Sequence, residues 1–488
     1  MSISFNSIPL DLRTPGQFVE FDASRAVSGP QSQPQRILVI GQKLAAGIAP
    51  EAQPIRVLNA AHAIQRFGRG SMLAAMCAAL IANNPVAEIV AVPLADNGAG
   101  VAATKTLTLG GAATAAGTLN LYLAGQRVQV AVAAADTPTI VADALVAAIA
   151  AAPDLPVTAD NEAGVVTFTA RHKGELGNDI DTRLSYRTGE FIPTGLTAAF
   201  AAGTAGAGNP DITAVFTAIG DDWFNTMVMP YTDAANLTVI ETELADRWGP
   251  LRMIEGHAYS YKNAPMGDLA ALGATRNSPH LSIGGMRSSP TPPWSIAAAF
   301  AGAVAYSAAS DPARPFQTLV LKGVLAPKVT DRFSRAERDL LLRDGISTFT
   351  VDAGGNVLIE RPITTYQTNP YGLEDTAYLD VNTVLTLGYL RFSARQRIGT
   401  KYGRHKLASD GTQYGAGQAV VTPKVIRAEL VSLFKEWESI GLVEDVEAFK
   451  RDLIVERDEA DPNRLNALIP PDLVNQFRVF AGQVQFRL

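Results

Sequence analysis

Residues 223–250 read WFNTMVMPYTDAANLTVIETELADRWGP, and the pattern they set repeats as far as Pro327. Phe224–Met229 is an apolar run closed by Pro230, a strand signature. Thr232 stands at an N-cap position, the run to Trp248 is helical in composition, and Gly249-Pro250 stops it. Leu251–His257 reads as the next strand, Pro265–Arg276 as a helix and His280–Ile283 as a short strand. An Ala-rich helix over Ser295–Ser310 follows Pro292-Pro293, and Thr318–Leu325 is a last apolar run ended by Pro327. Strands alternating with helices of a dozen or so residues imply a mostly parallel sheet covered on both faces. The expected fold is therefore an α/β core.

Upstream, the same pattern occupies 36–95. Arg36–Ile40 and Ile55–Leu58 are strand runs, Asn59 caps a helix through Phe67, Ser71 caps another over Met72–Ala82, and Val86–Leu94 returns as a strand. Between 96 and 209 the composition shifts to Ala, Thr and Gly. Leu107/Leu109, Leu119/Leu121/Leu123, Val128/Val130/Val132 and Val166/Phe168/Ala170 alternate with period two. One helical stretch, Thr137–Ala151, interrupts them. Gly-rich hinges at Asn97–Gly100 and Gly195–Gly208 bracket the segment, and the α/β pattern resumes at 210. The core is thus expected over 36–95 and 210–330, with 96–209 a small β-rich domain inserted at an exposed loop and pointing outward.

Downstream, 331–475 is expected to form an α+β C-terminal domain. Ser334 and Glu337 make a capping box for a helix through Arg343. Ile346–Val351 and Asn356–Ile359 read as a hairpin, Leu373–Ile398 and Thr422–Ile440 as helices, and Ala448–Glu456 as a strand. Extended arms flank the whole, residues 1–35 and 476–488. Short alternating runs in the first arm, Val19 and Phe21 among them, are separated by prolines and glycines and bury no face of their own. About 20 extended residues reach roughly 65 Å, so such an arm packs along its own domain, adds a strand to a neighbour or forms a poorly ordered tail. In the last arm Phe477, Val479 and Ala481 alternate, then Val484, Phe486 and Leu488 on the opposite parity, with the switch at Gly482. An apolar terminal strand requires a partner, in its own domain or in another subunit.

With 488 residues the chain is too long for one ordinary core, and 47% hydrophobic against 18% charged residues indicates a folded protein. A net charge of −6 argues against a general nucleic-acid binder, which requires a basic excess. The single cysteine, Cys77, excludes an internal disulfide and lies in an Ala/Met/Leu helix, where an inert core thiol is expected. Met1–Arg13 lacks the apolar core of a signal peptide, and no apolar run reaches the ~18–20 residues that span a bilayer. The expectation is a chain made and kept in a cytoplasm, without membrane or nucleic-acid partners.

The residues of catalysis are not assembled in any familiar spacing. His62, His172, His257, His280 and His405 are scattered, with no metal-ligand spacing. Val39-Ile40-Gly41 lacks the glycine spacing of a dinucleotide turn, and there is no nucleophile elbow or phosphate loop. Asp221-Asp222 reads as a solvated turn. No enzyme activity and no cofactor is expected. One basic cluster, Arg391, Arg395, Arg397, Lys401, Arg404, His405 and Lys406, reads as a salt-bridged interface or a solvated face before a nucleic-acid patch. A long chain with arms at both ends, an inserted outward domain and no reactive constellation points to assembly. One chain that donates strands and accepts others makes non-closing contacts, which generate helices or stacked rings.

Several segments, in order, carry a resemblance. They are Leu12-Arg13-Thr14-Pro15-Gly16, Phe67-Gly68-Arg69-Gly70-Ser71, Pro230-Tyr231-Thr232-Asp233, Arg276-Asn277-Ser278 and Ser289-Pro290-Thr291-Pro292-Pro293. Leu321-Lys322-Gly323-Val324-Leu325-Ala326-Pro327, Arg361-Pro362-Ile363-Thr364-Thr365-Tyr366 and Ile469-Pro470-Pro471 complete the series. The chain resembles, over essentially its whole length, the contractile-tail sheath proteins of bacteriophages, in particular the Mu-like type. The resemblance implies a homo-oligomeric helical sleeve around a tail tube, with baseplate and tail terminator as further partners, assembled in the host cytoplasm and carried on the virion tail. It also implies exchanged terminal strands, which map here to about residues 15–24 and 476–487. Phe18, Val19, Glu20, Phe21, Phe477, Val479, Val484 and Phe486 are the expected intersubunit residues. Arg391, Arg395 and Arg397 are the expected contacts to the tube or a neighbour. Other self-assembling shells, such as a capsid or surface-layer subunit, and a cytoplasmic α/β enzyme with an unread site are the competing readings. A phage-derived bacteriocin or secretion apparatus is a nearer relative that sequence does not separate.

Overall fold

The computed structural model describes residues 13–19, 33–415 and 417–487. Its centre is a nine-stranded sheet. From one edge the order is Val320–Leu325, Asn356–Arg361, Ile346–Val351, Leu281–Met286, His257–Asn263, Thr226–Val228, Arg36–Gln42, Glu88–Leu94 and Ile55–Val57. The six inner strands, from Ile346–Val351 to Glu88–Leu94, pair in parallel, and antiparallel strands close both edges. All six residues of Leu281–Met286 are buried. Successive strand residues point to opposite faces, so both faces of the sheet are covered. The mixed α/β architecture with a mainly parallel sheet is therefore as the periodicity of 223–327 indicates.

Local rules set the helices. Asn59 accepts a hydrogen bond from the His62 N–H at 2.8 Å, and Ser71 Oγ one from the Ala74 N–H at 3.2 Å. Helix Pro293–Ala308 buries twelve residues in succession, Pro293 to Ala305 apart from Ser295, and packs on helix Met72–Asn83 and on the sheet. A Cβ on Gly302 would lie 3.1 Å from Asn83 Cβ and 3.2 Å from the Leu80 carbonyl oxygen, so glycine permits this crossing. At the same point Asn83 reaches the edge strand. Its amide donates to the Lys322 carbonyl at 3.0 Å, and its oxygen accepts from the Lys322 N–H at 2.9 Å. Cys77 is fully buried in this helix, and burial pushes its thiol up to about 12, which makes it inert at neutral pH.

Six expectations shift. The strand expected at Leu251–His257 forms at His257–Asn263. Arg252 is drawn instead to Asp221 at 2.7 Å, Asp246 at 2.7 Å and Glu243 at 3.1 Å, which holds 251–256 as a turn and neutralises the Asp221 carboxylate. Asp233, not Thr232, caps helix Ala234–Trp248. The helix expected from Leu373 begins at Val381, because Asn369 Oδ1 accepts the N–H groups of Tyr371 and Leu373 and folds that stretch into a loop. Ala448–Glu456 contains the end of helix Val446–Asp452, capped by Asp445, and then strand Ile454–Arg457. The exit hinge at 195–208 contains strand Thr197–Ala202. Strands Ile346–Val351 and Asn356–Arg361, assigned by sequence to a C-terminal domain, extend the large sheet through the Ile283–Ile346 register.

Residues 96–209 build two antiparallel sheets. One has the order Thr197–Ala202, Ala102–Gly110, Val165–Lys173, Val157–Glu162, and the other Gln126–Val132, Gly117–Leu123, Thr182–Leu184. Val165–Lys173 buries every second residue, as a strand covered on one face does. Asp96 ties this insertion to the core. Its Oδ1 accepts from Gln42 Nε2 at 2.7 Å and lies 3.0 Å from His172 Nδ1, and its Oδ2 accepts from the Lys173 N–H at 3.1 Å. His172 Nε2 accepts the Met72 N–H at 3.0 Å, so the ring proton sits on Nδ1 and points at Asp96. Burial raises the Asp96 carboxyl, but these donors outweigh it and hold it below the usual carboxylate range.

The chain divides into two compact units, one of residues 34–388 with 475–487 and the other of 389–474 with 13–19. The smaller has its own core. Phe434 stacks on Phe449 with ring centroids 4.0 Å apart, and the buried Trp437 Nε1 donates to Ser393 Oγ at 2.9 Å.

Candidate assembly interface

An assembly site is sought where backbone and apolar side chains are left unsatisfied by the chain itself. The C-terminal tract is such a place. Residues 474–487 form no ladder, in contrast to the terminal strand that alternation suggested. Phe477, Val479, Phe480, Val484 and Phe486 are between 73% and 90% exposed. Large apolar residues this exposed, five within ten positions, bury nothing in their own chain. Polar contacts tether the tract: Arg478 pairs with Asp380 at 2.9 Å and donates to Asn382 Oδ1 at 3.4 Å, and Gln317 Nε2 donates to the Phe477 carbonyl at 3.5 Å. At the other terminus Val19 is 84% and Phe18 50% exposed. Glu20 and Phe21 lie outside the described residues.

The smaller unit offers short, open-edged ladders. Lys406–Leu407 pairs with Val420–Val421, Val443–Glu444 with Asp472–Leu473, and Ile454–Arg457 with Leu465–Leu468. Two-stranded sheets are marginal alone and are stabilised by added strands. Ile454 and Leu468, directly opposite in register, are 52% and 59% exposed. Of these ladders, sequence marked only Ile454–Arg457, overlapping the strand expected at Ala448–Glu456, since runs of two to four residues carry little periodic signal.

Part of the basic cluster is paired within its own unit. Arg397 donates to Glu429 at 3.0 Å and also pairs with Glu436, Lys401 pairs with Glu429, and Tyr402 Oη donates to Glu429 at 2.8 Å. Burial pushes the Glu429 carboxyl up, but Lys401, Tyr402 and Arg397 together hold it below its ordinary range. These contacts clamp the end of helix Val381–Tyr402 to helix Pro423–Ser439. Arg397 therefore has a structural partner within the unit. Arg391 is half-buried and Arg395 exposed.

His257 is buried beside Ser282, His280 lies tilted against Trp248, and His405 meets Tyr402 edge to face. Among the described residues no group of three His, Cys, Asp or Glu side chains is placed to hold a metal ion, and no helix is long and apolar enough to cross a membrane.

The larger unit, an α/β sheet with a double antiparallel sheet inserted, coincides with the matches found for the chain. Residues 98–205 match the phage tail sheath β-sandwich domain, 205–365 the central domain and 374–487 the C-terminal domain. The chain belongs to the phage tail sheath family, a family of structural proteins, and to its Mu-like type. It is 44% identical, over the full length of both chains, to the Mu-like prophage FluMu tail sheath protein of Haemophilus influenzae. Among solved structures, a chain of the anti-feeding prophage baseplate covers 98% of this chain and 100% of its own, with TM-score 0.50 and 9% identity, a likeness of fold. A sheath tail protein of Desulfitobacterium hafniense covers 94% of this chain and 100% of its own, with TM-score 0.48 and 14% identity. The protein is thus a subunit of a contractile tail sheath and a component of a phage tail.

Proposed function

We propose that the chain polymerises into a helical sleeve around a tail tube, linked by strands exchanged from its two ends. The N-terminal arm, about residues 15–24, and the C-terminal arm, 476–487, add to short sheets in a neighbour's C-terminal domain. The single observation that supports this best is the C-terminal tract, where five large apolar residues are exposed and no ladder is made. Hydrogen bonds in a shared sheet persist while subunits swing, so the polymer changes pitch without coming apart. The extended sleeve is a trapped state held by baseplate, tube and tail terminator, and contraction lowers its free energy and drives the tube through the host envelope. The energy is stored at assembly in the host cytoplasm, so no nucleotide is consumed. The domains move as rigid bodies and the links at 22–35 and near Val474 absorb the rotation. Arg391, Arg395 and Arg397 face the tube or a neighbour in this reading, Arg397 while also holding Glu429 and Glu436.

The test is truncation. Deleting 477–488, or separately 1–20, leaves a folded chain with unchanged thermal unfolding that forms no sleeves by negative-stain microscopy. Sleeves of normal length from either truncated chain refute the exchanged-strand reading.

A further inference from the structure

A second feature of the larger unit is built for contact and is not part of the arms. The loop Thr368–Glu374 is rigid. Asn369 Oδ1 accepts the N–H groups of Tyr371 at 3.0 Å and Leu373 at 3.1 Å, the Gly372 N–H donates to the Asn369 carbonyl at 2.9 Å, and Asn277 Nδ2 holds Thr368 through its carbonyl and hydroxyl oxygens at 2.9 Å each. This scaffold presents Tyr371, 89% exposed, and Leu373, 65% exposed, followed by the exposed carboxylate of Glu374. A rigid aromatic anchor loses little entropy on docking, and tyrosine is enriched where binding energy concentrates.

A complementary surface lies in the same unit. A cleft of about 400 Å³ has Phe333, Phe349 and Val329 as its apolar lining and Arg287, Arg332 and Arg338 around it. Arg338 is held by Glu360 at 2.8 Å and Arg332 by the Pro327 carbonyl at 3.1 Å, while Arg287 is exposed. Glu337 is engaged in the capping box with Ser334 and also feels the charges of Arg287 and Arg338. The cleft therefore favours an acidic segment with apolar tips, a description that fits Tyr371-Gly372-Leu373-Glu374.

Loop and cleft sit at opposite ends of one strand. The Thr365 N–H, just before the loop, donates to the Leu281 carbonyl at 2.8 Å, whereas Met286 and Arg287 line the cleft. Six residues of strand separate the two ends by about 20 Å. A knob at one end and a matching hole at the other make a head-to-tail contact, which does not close and so propagates. We infer that the 368–374 loop of one copy docks in the arginine-lined cleft of the next, with Glu374 facing Arg287, as a second intersubunit joint. The inference rests on the sleeve reading and adds a joint independent of the arms.

Charge exchange tests it. In the full-length chain, Glu374→Arg and Arg287→Glu each raise the critical concentration for sleeve formation, read by pelleting and microscopy, about tenfold, because like charges then meet at the joint. Both sites are exposed, so circular dichroism melts stay at the parent value. Combining the two reversals brings the critical concentration back toward the parent. Tyr371→Ala weakens assembly without rescue by either arginine change. Single reversals that polymerise like the parent, or a combined variant no better than the worse single, overturn the contact alone. A parent chain that forms no polymer overturns the contact and the sleeve together.

Discussion

His257 shows what a single buried side chain does in this core. Its Nε2 faces Ser282 Oγ at 2.8 Å, and the Ser282 hydroxyl donates onward to the Ile363 carbonyl at 2.6 Å. The ring therefore donates from Nε2, and Nδ1 is a buried atom without a hydrogen-bond partner. A proton added there gains no acceptor. Burial, with a smaller contribution from neighbouring His280, lowers the group to about 3. In the unfolded chain it titrates near 6.5, so below that value the unfolded state binds the extra proton. The stability contributed by the neutral ring is fully present above about pH 6.5 and is lost progressively toward pH 3. Between pH 6.5 and 5 this group alone costs roughly 2 kcal/mol. Urea denaturation across that range gives a shallower pH dependence for His257→Phe than for the parent. Equal slopes would place the acid sensitivity elsewhere.

At the scale of elements, the edges of the large sheet are guarded, and side chains do the guarding. Asn83 engages both backbone groups of Lys322, and Thr291 Oγ1 and Ser289 Oγ take the N–H and carbonyl of Leu325 at 2.8 and 2.9 Å. Such contacts blunt an edge strand against stray pairing. Asn83→Ala leaves a donor and an acceptor unmet at a tight helix crossing, so stability falls by about 2 kcal/mol in chemical denaturation, and the variant aggregates at lower temperature than the parent. A denaturation midpoint within error of the parent counts against the guard. Helix caps and alternation were readable here: Asn59, Ser71, Thr137 and the Ser334–Glu337 box all stand where local rules put them. The Asn83 clamp was not, because 239 residues separate its partners and only folding brings them together.

For the whole molecule the two compact units differ in what secures them. The larger rests on a continuous apolar core around the nine-stranded sheet. The smaller couples a small aromatic core to the Glu429 charge network. Arg397→Ala leaves Glu429, whose side chain is 7% exposed, with fewer compensating donors, at a cost of about 3 kcal/mol. Hydrogen exchange then accelerates within 389–474 and stays at parent rates in helices Met72–Asn83 and Pro293–Ala308. Acceleration spread evenly over the chain would mean that the units do not unfold separately. The exposed apolar tract at 477–486 stands outside both of these cores.

Sequence alone determined the α/β class and the family, because periodicity and capping depend on residues only two to four apart and the family motifs keep their order along the chain. Only the tertiary structure decided that Ile346–Arg361 belongs to the large sheet, that His172 and Asp96 tie the insertion to the core, and that Arg397 is internally paired. Each of those outcomes joins segments distant in sequence, and their energies depend on burial and distance, quantities that exist only once the chain has folded.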